Sequence, residues 1–446
     1  MKDLTVGKPL KILLLFSIPI LIGNLFNMAY NIADTRIIGS FIGNDALAAV
    51  GSVSTLNDLL IFFLVGMANG FAVVSATFFG MNNLQRVKKC FSHSLLYGLV
   101  ITLVLLAACF IFMPGILTLL NIDSAHKSEA YIYICIILVG LFFSSLYNIV
   151  SSTLRAIGDV YTPLIFLIAA VCLNIVLDLL FVAVFGLGVA GAGWATVLSQ
   201  LISAILCFIY TWIKYPLLRL SRLDFRMEKP LSSKLLPAGF SMGLMSSIFA
   251  FGTLTLQTAI NTLGTNTIVA HAATRKLTSL FMLPYNTLAT SIATYTGQNY
   301  GAGNMKRIRA GLKDSLIVSW IWTGIVILIS HTICPLLITA VTGTTIKEVA
   351  EIGSLYQRID TLFYFLVPGI SITRNMLQGL GDHITPIVSS TIELIGKTLI
   401  ALLLTPVLKY WAIIWSEPIV WILMIIPLII SSYKRLRTPI AQDRLI

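Results

Sequence analysis

Apolar residues in this 446-residue chain do not alternate with polar ones; they run on in long blocks separated by charged or Gly/Pro-rich breaks. A helix needs about 20 consecutive apolar residues to cross a ~30 Å hydrocarbon layer, whereas barrel strands would show short alternating segments. The pattern predicts twelve helical spans, near residues 10–38, 46–78, 92–119, 130–154, 163–185, 189–212, 234–262, 268–297, 313–340, 354–378, 386–405 and 410–432. The first run follows Lys2, Lys8 and Lys11 in the manner of a signal peptide. It is too long for one, lacks a small-x-small cleavage site, and precedes eleven more spans, so it reads as the first membrane helix.

Composition supports this picture, with 57% hydrophobic and 11% charged residues, where a soluble chain carries about a quarter charged. The net charge of +12 would suit a nucleic-acid partner, but its distribution excludes one. Of 30 Lys+Arg, 21 lie at the termini and in the loops following even-numbered spans, four (Arg36, Lys127, Lys347, Lys409) in the opposite loops, and five (Arg275, Lys276, Arg358, Arg374, Lys397) within spans. That bias predicts a multi-pass protein of a bacterial-type inner membrane with both termini cytoplasmic. Six cysteines are scattered without paired spacing, so neither a disulfide framework nor a zinc site is indicated.

The chain also repeats itself. LRAIGDVYTPL (154–164) answers LQGLGDHITPI (377–387) at an offset of 223, GMNNLQRVK (80–88) answers GAGNMKRIR (301–309) at 221, and Gly43 and Ala49 answer Gly264 and Ala270 at 221. Six spans per copy is an even number, so both copies insert with the same orientation. The predicted fold is an all-α integral membrane protein of twelve transmembrane helices in two parallel pseudo-symmetric six-helix bundles. The N-lobe covers 1–212, a cytoplasmic linker 213–233, and the C-lobe 234–446. A cleft between two bundles that opens to either side is transporter architecture; a channel built from repeats is the alternative, but it more naturally places its axis through a ring of subunits.

A charge at mid-bilayer costs at least ~2.5–3.5 kcal/mol, so each ion inside a span needs a reason. Span 1 carries Asp34; span 5 carries Asn174 and Asp178, four residues apart on one face. At 1.5 Å per residue these two lie ~16 and ~22 Å along span 5, and Thr196 ~10 Å down span 6 from the outer side. All reach similar depths, and Asp34, near the outer end of a long span 1, can join them. Two carboxylates, an amide and a hydroxyl offer hard oxygen ligands for a small cation; the same group can share a proton instead. The structural alternative is that each Asp only bonds a neighbouring helix or faces a loop. Pro19, fifteen residues before Asp34, removes a backbone hydrogen bond and favours a kink, either static or mobile.

Other buried charges read as structural. Glu393 and Lys397 are an i,i+4 pair that Arg374 can join, Asp360 either forms a local salt bridge with nearby Arg358 or is a vestibule residue, and Arg275 and Lys276 are expected to snorkel or pair. His271 is expected to pack; Asp58 and Glu417 stay open. The five histidines are dispersed, which argues against a membrane-embedded transferase or other enzyme.

The segments YNIADTRIIGSFIGNDALAAVG (30–51), LRAIGDVYTPL (154–164), GVAGAGWATVLSQ (188–200), YTGQNYGAGN (295–304) and LQGLGDHITP (377–386) resemble the MATE family, the multidrug and toxic compound extrusion transporters, over nearly the whole chain. The resemblance implies a rocking antiporter that expels amphipathic, cationic small molecules in exchange for Na+ or H+, with no other cofactor, as a monomer among membrane lipids. It implies an N-lobe coupling site at Asp34, Asn174, Asp178 and Thr196, where Na+ would bind if Na+ is the ion. Asn27 and Tyr30 match cavity-lining positions, and Pro19 a bending point. Span 7 carries Gln257 and no acid, which puts a C-lobe coupling site of the kind found in another branch in doubt. A lipid-linked precursor flippase, of related architecture, is the alternative; it would need a strongly cationic cleft, for which Arg275, Lys276, Arg374 and Lys397 are candidates.

Overall fold

The structure, a computed structural model, describes residues 3–119, 127–343 and 346–438. In the first half the helices are α1 (Pro9–Phe41), α2 (Asn44–Gly80), α3 (Leu84–Leu119), α4 (Lys127–Ala156), α5 (Tyr161–Asp178) and α6 (Gly188–Lys214). The second half continues with α7 (Lys229–Ile260), α8 (Thr265–Gly301), α9 (Met305–Thr332), α10 (Cys334–Thr342), α11 (Lys347–Leu362), α12 (Leu366–Gly379), α13 (Ile384–Leu399), α14 (Thr405–Leu408) and α15 (Tyr410–Arg437).

Among the described residues, ten helices are long and apolar enough to cross a membrane by themselves. The eleventh span is α8. Its Thr274, Thr278, Thr287, Ser291, Thr294, Thr296, Gln298 and Asn299 lower its hydropathy, but all are buried within the protein, where bundle partners and not lipid receive them. The twelfth, expected as one helix over 354–378, is broken into α11 and α12 by a turn at 363–365. Span 9 is likewise split at Ile333 into α9 and α10.

The repeats in sequence prove to be turn chemistry. Gly158 (φ +84°) and Gly381 (φ +77°) end spans 4 and 10 in the left-handed region, where a side chain would be strained. The next residue caps the following helix: Asp159 accepts from the Thr162 N–H (3.0 Å) and hydroxyl (2.6 Å), and Asp382 from the Thr385 N–H (3.1 Å) and hydroxyl (2.8 Å). Asn83 and Asn304 accept from the N–H of Arg86 (3.1 Å) and Arg307 (3.3 Å) in the same way. Both copies also interrupt a span with a short π-helical stretch, Leu179–Val184 after α5 and Ile400–Leu404 after α13.

Two compact units result. The first runs from Ile18 to Gly243; the second takes Leu4–Ser17 and everything from Leu244 onward. The units therefore divide inside α1 and inside α7, and specific contacts explain why. In the second unit Gln298 accepts from the Leu4 N–H (2.9 Å), Arg307 donates to the carbonyls of Gly7 (2.7 Å) and Leu4 (3.1 Å), and Ser17 donates to Ser291 (2.8 Å). In the first unit α7 lies against α2 so closely that a Cβ on Gly70 would meet the Ala238 carbonyl oxygen at 2.2 Å. Such small-residue contacts hold membrane helices together where lipid supplies no hydrophobic drive. The first unit's core joins Met67, Phe71, Phe91, Ile134, Leu138, Ile149, Leu154 and Leu235. In the second, Leu256, Ile260, Tyr356, Ile413 and Ile414 cluster.

Candidate functional site

Three helices of the first unit bring the four expected residues together: Asp34 from α1, Asn174 and Asp178 from α5, Thr196 from α6. Asn174 and Asp178 are buried, four residues apart on the face of α5 that meets α6, and Asp178 is the last residue before the π stretch. A π turn re-aims neighbouring side chains and is common at functional sites.

The Thr196 hydroxyl is the hub. It lies 3.3 Å from the Asn174 amide nitrogen, which donates to it, and 3.2 Å from the Tyr30 hydroxyl. Asp34 and Asp178 lie close enough for their carboxyls to act on each other electrostatically. Four oxygens in this cluster are buried without a hydrogen-bond donor: Asp34 Oδ1, Asn174 Oδ1 and both carboxylate oxygens of Asp178. Two ionised carboxylates side by side in a low-dielectric interior repel one another and lose their hydration. The arrangement is relieved by one shared proton or by one small cation taking the free oxygens as ligands.

Tyr30 thus belongs to the cluster. Asn27, one turn earlier on α1, is exposed, and Pro19 is buried within a helix continuous from Pro9 to Phe41. Tyr133 of α4 is a neighbour of Asp34, Tyr30 and Asp178 that sequence reading missed. A single tyrosine position in an apolar span carries no periodic signal, although the repeat contains one: at offset 223 Tyr133 falls on Tyr356, also buried.

The second unit handles its charges differently. Lys397, with 0% exposure, lies 2.9 Å from Glu393 and 3.0 Å from Glu417. Arg374 reaches Glu393 at 3.5 Å and Ser389 at 3.1 Å, and Arg275 reaches Glu417 at 3.8 Å. The expected Glu393–Lys397–Arg374 group is therefore present, with Glu417 added. His271 packs edge-on against Tyr356 and Tyr410, as expected. The expected Asp360–Arg358 pair does not form. Residues two apart on a helix point to different sides; Arg358 donates to the His331 carbonyl (3.4 Å), while Asp360 turns inward with Oδ1 unpartnered. Lys276 and Asp58 are exposed and make no ion pair among the described residues.

By the repeat, Lys397 corresponds to Asn174 at offset 223 and Glu417 to Thr196 at 221. A neutral hydrogen bond in one unit is matched by an internal ion pair in the other.

A family model described as MatE matches residues 19–180 and 237–407, one stretch in each half. The chain belongs to the MATE family. Among curated relatives, the Bacillus subtilis "probable multidrug resistance protein YpnP" is 32% identical over 69% of this chain and 68% of its own length. The Staphylococcus aureus "multidrug export protein MepA" is 23% identical over 98% of this chain and 94% of its own. Among solved structures, an outward-facing multidrug resistance MATE family transporter of the MOP superfamily superposes with a TM-score of 0.87 at 21% identity, covering 98% of this chain and 99% of that one. The MATE fold is that of a multi-pass bacterial membrane protein with twelve helices in two lobes, and its members are transporters, not enzymes.

Proposed function

We propose that this MATE chain exports amphipathic, cationic drugs by antiport against Na+ or H+, through rocking alternating access of its two lobes. The names of its relatives support multidrug export. The observation that carries the coupling assignment is the pair of carboxyls, Asp34 on α1 and Asp178 on α5, meeting with donor-free oxygens beside the Asn174–Thr196–Tyr30 hydrogen bonds.

In this reading Asp34, Asn174, Asp178 and Thr196 hold the coupling ion or proton. Asn27 and Tyr30 line the cavity, and Pro19 lets α1 bend with occupancy. Neutralising the carboxyl pair removes the repulsion between α1 and α5, so occupancy biases how α1 packs. That differential stability is what an antiporter needs, since an ion shifts a conformational equilibrium only by binding one state better than the other. The protein works as a monomer in the lipid bilayer, with both termini cytoplasmic. The flippase alternative loses support, because Arg374, Lys397 and Arg275 are committed to Glu393 and Glu417.

The test is ethidium efflux from proteoliposomes under separately imposed Na+ and proton gradients. Asp34→Asn and Asp178→Asn each reduce gradient-driven efflux by at least roughly tenfold, about 1.4 kcal/mol of lost coupling. Full gradient-driven efflux in both variants overturns the assignment.

A further inference from the structure

Helix α6 ends at Lys214 and α7 begins at Lys229, so residues 215–228 start and finish at one membrane surface. This linker forms two short 3-10 turns, Pro216–Leu218 and Arg222–Phe225. Both of its acids face the protein. Asp224 is buried, accepts from the Ser221 N–H and hydroxyl at 2.7 Å each, and pairs with Lys88 at 2.8 Å; its backbone carbonyl accepts from Ser92 at 2.6 Å. Glu228 pairs with Arg86 at 2.5 Å and with Lys89.

With the acids turned inward, the exposed residues of 219–229 are, apart from Ser221, cations and apolar groups. Arg222, Arg226 and Lys229 are exposed and make no ion pair among the described residues. Between them Leu223 is 82% exposed, Met227 67% and Phe225 39%. The last turn of α6 extends the strip with Trp212 and Ile213, both exposed, and tryptophan favours the headgroup level. The fold does not require these arginines. At offset 221 the stretch before α1 carries the same Lys-Pro-Leu (Lys8–Leu10 against Lys229–Leu231) and the same aspartate (Asp3 against Asp224), but Thr5 stands opposite Arg226.

We propose that this linker is an interfacial anchor that binds anionic phospholipid headgroups. Arg222, Arg226 and Lys229 sit on the phosphates, and Leu223, Phe225 and Met227 insert at the headgroup–acyl boundary. Apolar insertion combined with basic charge is how interfacial segments bind such surfaces. The anchor rests on the linker lying at a membrane surface and on nothing in the coupling site, so it fails or stands apart from the antiport reading.

The test is hydrogen exchange of the linker amides, by mass spectrometry, in the full chain reconstituted into nanodiscs of phosphatidylcholine alone or with added phosphatidylglycerol. Each cation near an anionic surface is worth about fivefold in partition, so exchange over Leu223–Met227 is expected to slow by at least roughly tenfold in the anionic discs. The variants Arg222→Gln/Arg226→Gln and Leu223→Ser/Met227→Ser each erase the difference, while exchange in α3 stays unchanged and reports an intact fold. Equal exchange in the two lipids, whether fast or slow, overturns the proposal, because docking on α3 then accounts for the linker. Protection that survives Arg222→Gln/Arg226→Gln overturns it as well.

Discussion

Replacing Lys397 with methionine removes an ammonium that solvent does not reach and leaves its partners behind. Glu393 keeps Arg374 at 3.5 Å, but Glu417 keeps only Arg275 at 3.8 Å, from a side chain 27% exposed. The substitution also removes the ammonium from its place 5.2 Å from the Phe249 ring centre. Breaking a buried pair on one side costs about 3–5 kcal/mol, because the remaining charge stays desolvated. At about 2–4 °C per kcal/mol for a folding unit of this size, Lys397→Met lowers Tm by roughly 6–20 °C. The loss follows from the leftover carboxylate, so neutralising that carboxylate restores stability. Lys397→Met/Glu417→Gln recovers most of the drop. Lys397→Met/Glu393→Gln recovers less, since it leaves Glu417 charged and leaves Arg374 without its acid. Thermal unfolding in detergent, read by tryptophan fluorescence, checks the order of the three variants. If Lys397→Met melts within about 2 °C of wild type, a shift worth under 1 kcal/mol, the charge-balance reasoning is refuted.

Gly70→Ala places a Cβ 2.2 Å from the Ala238 carbonyl oxygen, and a backbone atom cannot turn aside as a side chain does. Folded yield on size-exclusion chromatography is expected to collapse, whereas Gly324→Ala on α9, with nothing within 4 Å, is neutral or stabilising by up to about 1 kcal/mol. The linker latch is expected to hold constant across ordinary pH. Burial opposes it, but the Lys88 ammonium and Ser221 bring the Asp224 carboxyl from 3.8 down to about 2, and Lys89 with Arg86 holds Glu228 below 4.5. Depressed carboxyl pKa values give stability that is complete above the unfolded values and lost only as pH falls through the folded ones. Glu228→Gln therefore loosens the linker by the same factor at pH 6 and pH 8, measured by hydrogen exchange; a factor that shrinks at pH 6 contradicts this.

Much of the cluster of Asp34, Asn174, Asp178 and Thr196 was legible because it rests on local arithmetic. A four-residue spacing puts Asn174 and Asp178 on one face of α5, and rise per residue puts Thr196 at their depth. The π stretch that begins after Asp178 was not legible, nor was Tyr133, which reaches the cluster from a separate apolar span. Asp360 misled because Arg358 is near it in sequence. Proximity along a helix and proximity in space agree at three or four residues and disagree at two. Span 10 misled for a related reason: hydropathy averages across the turn at 363–365 and cannot register it.

The sequence by itself determined the solvent, the number of spans and the twofold repeat, because these depend on runs of apolar residues and on turn residues whose backbone needs are local. Gly158 and Gly381, Asp159 and Asp382, and Asn83 and Asn304 act within a few residues of themselves, so their roles survive reading in one dimension. Only the tertiary structure decided where the compact units divide, inside α1 and α7, since that follows from Gln298 and Arg307 gripping Leu4 and from α7 lying on Gly70. It also decided that equivalent positions hold an open hydrogen-bonded pair in one unit and an ion pair in the other. Asn174 and Thr196, like Lys397 and Glu417, lie on different helices, and only packing brings their side chains within 3.3 and 3.0 Å.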